Sequence, residues 1–499
     1  MPMATSIVRT AAHDEPPPAS DPASPLRELL ALQRAAFARG APDHRARVTA
    51  LDALHDAVRA NQEALVAAVS EDFGGRAREE TLLLEIFPLL AELRHARSRL
   101  KRWMRPQRVR PVWYLMPAAG RVEYQPLGVV GVIGAWNYQL FLSLSPLVGA
   151  LAAGNHVMVK PSEVTPRTAE VIARMLAERF PREYVAAVTG GPDVAAAFSA
   201  LPFDHLLFTG STRVGQLVAQ AASAHLTPVT LELGGKSPAI VHRAFDAATA
   251  AERIVAGKLL NAGQTCVAPD YALVPAGAVD AFVAAARAAA TSRYPRLVAN
   301  ADYTRLVTRR HWERLDALVA EARAAGARVD VVNPAGESCT AENRVFPLTL
   351  VSDPPGRRVL DDLALMREEL FGPVLPVLAY DAPDDALPEA AIAYVNARPR
   401  PLALYVFDTD ARRADAVLAR TTSGGAMIND VVYHVGHAEL PFGGVGPSGS
   451  GRYHGFAGFE TFSNRKGILA RGPFSGLDLL RPPYGGRSGT LIRWLLGRA

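Results

Sequence analysis

Between Tyr124 and Val159 the chain carries no Asp, Glu, Lys or Arg. A neutral run of that length has to leave water, and the choice is between a membrane and a protein core. A spanning helix needs about 20 mostly apolar residues in one unbroken stretch. Here Gly131, Gly134, Asn137, Gln139, Pro146 and Gly154 interrupt the run. It reads as a buried strand, a turn and a buried helix, which only a large core can enclose. The 499 residues, 49% hydrophobic and 21% charged, supply one, and at about 100–200 residues per domain they predict two or three domains.

From residue 127 the alternation of elements becomes regular. Short apolar runs occur at 128–134, 156–159, 184–188, 205–208 and 229–233, with helical patterns between them. Near-continuous apolar strands separated by helices make a parallel sheet covered on both faces. Such a sheet takes ligands at the carboxyl ends of its strands. The helix at 145–153 closes on Gly154, and the one at 166–180 opens with Thr165 as N-cap and Pro166 in its first turn.

Residues 26–105 read as helical, with Leu26, Leu29, Leu30 and Phe37 on one face and an amphipathic pattern over 48–69. Around 109–124, Val112, Tyr114 and Val122 suggest a hairpin or arm. Past Gly235 a second α/β pattern runs through helices at 282–290 and 312–324 and a strand at 374–378, closing near Gly425. The implied division is a disordered tail at 1–25, which holds six prolines, a first α/β unit at 26–235 completed by about 430–455, a second at 236–429, and a final segment at 456–499. The expected fold class is α/β: a doubly wound parallel sheet, a second α/β unit and a small arm.

Net charge is +5, and the arginines are scattered, so no nucleic-acid partner is expected. Only five of the 54 basic residues are lysines: Lys101, Lys160, Lys236, Lys258 and Lys466. A lysine kept under that bias suggests a need for a compact ammonium rather than a planar fork. Two cysteines cannot build a disulfide framework, which points to a reducing, cytoplasmic setting. No metal site is expected.

One of those cysteines, Cys266, sits in Asn261-Ala262-Gly263-Gln264-Thr265-Cys266-Val267-Ala268-Pro269-Asp270, a small, polar, flexible setting. Upstream, Leu231-Glu232-Leu233-Gly234-Gly235-Lys236-Ser237-Pro238 offers a lone carboxylate beside paired glycines. A thiol nucleophile and a carboxylate able to work on water are the minimal equipment for making and then hydrolysing a thioester. The plain readings are an inert thiol and a strand-closing acid. Phe208-Thr209-Gly210-Ser211-Thr212 is strand, glycine turn and helix start, where free N–H groups and the helix dipole favour a pyrophosphate. Taken alone it reads equally as a plain glycine turn, since the full dinucleotide fingerprint is missing.

With Gly134-Ala135-Trp136-Asn137-Tyr138, Lys160-Pro161-Ser162-Glu163, Glu368-Glu369-Leu370-Phe371-Gly372-Pro373 and Pro441-Phe442-Gly443-Gly444-Val445-Gly446 added, seven runs stand in one order. In that order the chain resembles the aldehyde dehydrogenase superfamily over roughly residues 26–485. Trp136-Asn137-Tyr138, Ala268-Pro269-Asp270-Tyr271 and Tyr453-His454-Gly455 resemble most the branch of coniferyl-aldehyde and fatty-aldehyde dehydrogenases.

The resemblance implies NAD(P)-dependent oxidation of an aldehyde to a carboxylic acid. Cys266 attacks the carbonyl, the Asn137 carboxamide and the Cys266 N–H hold the oxyanion, and Glu232 activates water on the thioester. It implies a pyrophosphate contact at Gly210 and Ser211, a ribose contact at Glu369, Phe371 beside the nicotinamide, and Trp136 among the cofactor-binding residues. Glu163, with Lys160 close by, accepts ribose hydroxyls and repels a 2′-phosphate, favouring NAD with NADP as the alternative. Tyr138, Tyr433 and His434 are expected at the aldehyde site, with Trp136 also near the tunnel. That set suits an aryl, cinnamyl or long aliphatic aldehyde.

One departure is Gln139 where the branch often has proline, which puts a polar side chain near Asn137. A homodimer is expected. The apolar end at 490–498 reads first as packing on a partner subunit or as a fraying end, and second as a membrane-surface helix. The competing readings are a CoA-acylating relative, against which Glu232 speaks, and a non-catalytic binding protein on the same fold.

Overall fold

The uncharged run is the centre of the molecule. The computed structural model describes residues 22–382, 386–472 and 481–497, and every statement below concerns these. The strands Val129–Ile133 and His156–Lys160 are buried along their whole length and pair in parallel, Val129 opposite His156 and Ile133 opposite Lys160. The helix between them is Gln139–Ala153, and every one of its residues is buried. It begins at Gln139 rather than at Ser145 because a carboxylate from elsewhere serves its first turn: Glu85 accepts the N–H groups of Leu140 (2.9 Å) and Phe141 (3.3 Å). It ends, as expected, on Gly154 in the left-handed region (φ 90°), where Arg47 donates to the Ala152 carbonyl at 3.1 Å.

In chain order the strands are β1 (Gln107–Val109) and β2 (Ala118–Pro126) of an arm; β3 (Val129–Ile133), β4 (His156–Lys160), β5 (Val185–Ala187), β6 (His205–Gly210) and β7 (Val229–Leu233) of a first sheet; β8 (Pro238–Val241), β9 (Tyr271–Pro275), β10 (Arg328–Val332), β11 (Leu348–Ser352), β12 (Val374–Tyr380), β13 (Ala403–Phe407) and β14 (Gly425–Ile428) of a second; then β15 (Gly449–Ser450) and β16 (Ser463–Arg471). The first sheet has the order β15-β7-β6-β3-β4-β5 and is parallel except for β15, which pairs Gly449 with Glu232. Strand order reverses between β3 and β6, the switch point at which such sheets open a crevice. The second sheet runs β10-β11-β12-β9-β8-β13-β14, antiparallel only between β10 and β11.

The carboxyl ends of β3, β4, β6 and β7 face the segments that lead into the amino ends of β9, β12 and β13, and a cavity lies between them. The sequence predicted both sheets but not this end-to-end arrangement.

The arm is larger than the expected hairpin. β2 pairs with β1 on one side and with β16 from the far end of the chain on the other, Pro126 opposite Ser463 through Ala118 opposite Arg471. Val112 lies outside the strands, next to a short 3-10 turn at Trp113–Leu115. The tail expectation needs a smaller bound, because the first helix starts at Ala23 and buries Leu26, Leu29 and Leu30. Residues 1–21 lie outside the described residues.

The helix Pro166–Arg179 is not capped by Thr165. The Thr165 hydroxyl is engaged with Gln139, and Asp72 accepts the N–H groups of Arg167 (3.0 Å) and Thr168 (2.8 Å) instead. Among the described residues no helix is long and apolar enough to cross a membrane.

Candidate functional site

The ends of four parallel strands and the loops after them build one wall of a cavity of about 380 Å³: Gly134–Asn137 after β3, Lys160 closing β4 with Ser162 and Glu163 after it, Gly210 closing β6 with Ser211 after it, and Glu232–Gly234 at the end of β7. The opposite wall is Cys266 ahead of β9, Glu369 and Phe371 ahead of β12, and Leu402 ahead of β13. A second cavity, of about 500 Å³, is lined by Leu83, Leu84, Phe87, Tyr138, Phe141, Leu260, Val432 and Tyr433 among others, and by no Asp, Glu, Lys or Arg. Leu142, Cys266 and Phe442 line both cavities. The thiol therefore stands where the two meet.

Cys266 is brought there by a strained loop. Asn261 and Ala262 both sit at φ 51°, an unfavourable region for residues with a Cβ. Gln264 holds the loop: its amide donates to the Asn261 (2.9 Å) and Arg305 (3.1 Å) carbonyls and accepts the Val307 N–H (2.9 Å). The Asn137 amide donates to the Gln264 carbonyl at 3.1 Å, and the Tyr138 hydroxyl bonds that of Thr265 at 2.7 Å. Burial, then the carboxylates of Glu369 and Glu232, push the Cys266 thiol up to about 12; its own N–H and that of Val267 pull the other way. A thiol in this setting needs a base or a bound cation beside it to become a thiolate.

Glu232 is buried, and neither of its carboxylate oxygens has a hydrogen-bond partner among the described residues. Burial therefore raises its pKa well above the usual carboxylate range, against the opposing pull of Arg452. Gly443 is a close approach: a Cβ there would stand 2.8 Å from Glu232 Oε1 and 2.3 Å from the Gly451 carbonyl oxygen. A buried, elevated, unpaired carboxyl facing a thiol's cavity suits a general base.

The remaining polar groups of the first cavity suit a dinucleotide. The helix Thr212–Ser223 points its N-terminus at Gly210 and Ser211, both in the lining, although the Ser211 hydroxyl here accepts the Val214 N–H (3.4 Å) as a cap. The Lys160 ammonium is buried and donates to Glu163 at 3.0 Å and to the Pro161 carbonyl at 3.2 Å. Glu369 is raised to about 8 by burial and by Asp270, against the pull of the Gly235 N–H, Lys236 and Lys258. Lys236 bonds Asp270 and donates to the Leu365 (2.8 Å) and Glu368 (2.9 Å) carbonyls, so it fastens the segment that carries Glu369. This task fits a compact ammonium with three donors.

Phe371 lies at φ 53°, its ring 5.3 Å from that of Trp136, and its carbonyl accepts a bond from His311 Nε2 at 2.7 Å.

Three expectations are corrected. Gln139 lines neither cavity: its amide donates to the Thr165 carbonyl at 2.9 Å and its carbonyl accepts from the Thr165 hydroxyl, which turns it toward the first sheet's helical layer. His434 does not border the second cavity. Its ring packs 6.0 Å from that of Tyr405 and against Gly425, and burial lowers its pKa to about 4. Trp136 faces the first cavity and not the second. Residues missed by sequence reasoning are His311, Leu402 and Phe442. Phe442 stood inside a quoted run, whereas His311 had no local signal.

The model of the "Aldehyde dehydrogenase family" matches residues 30–468. The chain is 50% identical over 461 residues to a probable coniferyl aldehyde dehydrogenase of Pseudomonas aeruginosa, covering 92% of this chain and 94% of that one. The substrate-bound structure of Staphylococcus aureus AldH superposes with a TM-score of 0.86 at 36% identity, over 94% of this chain and 99% of that one. A Mycobacterium tuberculosis aldehyde dehydrogenase complexed with NAD+ superposes with a TM-score of 0.79 at 28% identity, over 91% of each chain.

Proposed function

The chain belongs to the aldehyde dehydrogenase family and oxidises aldehydes with NAD(P), and on that premise we propose the residues, substrate class and assembly that follow. The first cavity takes the cofactor and the second the aldehyde, and the observation that carries this division is Cys266 at their junction. The bound nicotinamide supplies the hydride acceptor. Cys266 adds to the carbonyl, and the Asn137 amide, already aimed into the Cys266 loop, stabilises the oxyanion together with the Cys266 N–H. Glu232, unpaired and elevated, takes the thiol proton first, releases it to solvent, and later takes a proton from the water that opens the thioester. Lys160, Glu163, Ser211, Glu369, Phe371 and Trp136 hold the cofactor, with Glu163 tilting the choice to NAD.

The substrate class is an aryl, cinnamyl (coniferyl-like) or long aliphatic aldehyde. Support comes from the lining of the second cavity, which holds no Asp, Glu, Lys or Arg and includes Tyr138, Phe141 and Tyr433, and from the name of the Pseudomonas relative. We read 26–235, completed by about 430–455, as the cofactor unit, and 236–429 as the unit carrying the nucleophile. A homodimer is the assembly that suits the arm, which leaves Val109, Val112, Trp113, Met116 and Leu469 exposed. The C-terminal helix Gly486–Leu496 sets Trp494 edge-on to Trp113 at 5.2 Å, which favours packing over a membrane-surface role. Two free cysteines suit the cytoplasm.

The test is an assay of cinnamyl, aryl and aliphatic aldehydes with NAD and NADP on the unaltered protein, Cys266→Ser and Glu232→Gln. Cys266→Ser loses oxidation altogether. Glu232→Gln stalls after one turnover or attacks slowly, and a Glu232→Gln enzyme turning over at full rate across pH assigns the base elsewhere.

A further inference from the structure

We infer that Arg76 is a positioning residue for aldehyde oxidation, acting through the backbone of Asn137; the inference rests on the proposed role of Asn137 as oxyanion donor. Arg76 follows the turn that closes the helix Gln62–Phe73, and its side chain has no exposed surface. Its Nη1 donates to Glu85 at 2.7 Å and to the Asn137 carbonyl at 3.4 Å, its Nε lies 3.8 Å from Glu80, and its guanidinium sits 4.8 Å from the centre of the Tyr138 ring. A buried ion pair is a weak source of stability, since apolar side chains of similar volume often do as well. What it supplies that they do not is direction.

The two glutamates extend that direction to both sides of the cleft. Glu85 also accepts the first N–H groups of the helix that begins just after Asn137 and Tyr138. Glu80 accepts the Asn261 N–H at 3.0 Å and the Thr304 hydroxyl at 2.6 Å. Asn261 in turn donates from Nδ2 to the Asn137 carbonyl at 3.0 Å and to the Gln264 carbonyl at 3.1 Å. One carbonyl, that of Asn137, thus receives a donor from the helical layer of the first sheet and a donor from the loop that ends in Cys266. Convergent donors set the peptide plane from which the Asn137 side chain projects, and the Glu80–Asn261 bond ties that plane to the nucleophile's loop. Each sheet alone leaves this spacing open.

The test is a double-mutant cycle on single-turnover oxidation, with enzyme in excess over aldehyde and NAD saturating, for Arg76→Lys, Asn137→Ala and the double variant. NAD affinity is read in parallel by fluorescence. Arg76→Lys keeps the charge and removes Nη1, the one guanidinium nitrogen from which both bonds are made; Nε and Nη2 have no hydrogen-bond partner among the described residues. It is expected to slow the single turnover by about 10- to 100-fold, the loss that a misplacement near 1 Å produces, with NAD affinity unchanged. In the Asn137→Ala background the same change is expected to have little effect. Equal losses in both backgrounds, an unaltered rate for Arg76→Lys, or a joint loss of NAD affinity overturn the inference and leave the aldehyde-oxidising reading standing. A full rate for Asn137→Ala overturns the donor assignment and the inference together. If Arg76→Lys does not fold, Glu85→Gln replaces it in the cycle with the same outcomes.

Discussion

Gly234 and Glu369 share one space: a Cβ built on Gly234 would stand 1.8 Å from Oε2 of Glu369. The glycine at the end of β7 is what lets the carboxyl from the far side of the cleft lie across the cavity. The obstacle to a methyl group is the tip of a flexible side chain, so the backbone has no need to move. Gly234→Ala is therefore expected to leave the thermal midpoint nearly unchanged while displacing Glu369. Losing one hydrogen bond, about 0.5–1.5 kcal/mol, raises the NAD dissociation constant about 2- to 10-fold. Calorimetric NAD binding beside a melting curve checks both halves; a drop in melting temperature with NAD affinity intact contradicts the shared-space account.

Glu163 holds Lys160 in a pair at 3.0 Å, with Lys160 buried and Glu163 partly exposed. Glu163→Gln removes the repulsion toward a 2′-phosphate and releases the ammonium to meet one. The NADP-to-NAD ratio of kcat/KM is expected to rise by about tenfold, roughly 1.4 kcal/mol. Steady-state kinetics with both cofactors measure it, and an unmoved ratio places cofactor choice in other residues.

Glu92 is buried away from the cleft, accepts the Ser145 hydroxyl at 2.6 Å, and is raised by burial to about 7. Its folded pKa exceeds its unfolded value near 4.5, so the stability it contributes is fully present below pH 4.5 and is lost as pH rises through 7. Glu92→Gln keeps the acceptor and abolishes the titration. Relative to the variant, the unaltered protein is expected to lose about 3 kcal/mol between pH 4.5 and 8. Denaturant midpoints at pH 5 and 8 follow the gap; a gap equal at both values means that Glu92 carries no proton.

Phe87 and Leu83 lie at the rim of the second cavity, 60% and 65% exposed. Phe87→Ser takes away apolar surface that only an extended substrate reaches. KM for cinnamaldehyde or a long aliphatic aldehyde is expected to rise by about 3- to 10-fold, the worth of a partly buried ring, while KM for acetaldehyde stays level. Equal changes for both would mean that the rim is not part of the aldehyde path.

Much of this organisation was legible in the chain. The uncharged stretch around Val129–Ile133 and Gln139–Ala153 had to be the core, and it is. The apolar runs at β3 to β7 had to be parallel strands, and their following loops, with Asn137, Lys160, Gly210 and Glu232 at or near the strand ends, line one cavity. Less legible were the ends of elements. Thr165 had every mark of a helix cap, but Gln139 engages its hydroxyl and Asp72 takes the task from another helix.

The sequence by itself determined the alternation that builds a parallel sheet and the family, and it offered the thiol and carboxyl proposed for the chemistry, because each is written in neighbouring residues with a fixed period or spacing. Only the tertiary structure decided that the carboxyl ends of one sheet face the amino ends of the other, that Cys266 stands between two cavities, that His434 turns toward Tyr405, and that Arg76 reaches a carbonyl 61 residues away. Those outcomes depend on which way side chains point once distant segments have packed, and a bond between far-separated residues leaves no periodic mark in the chain.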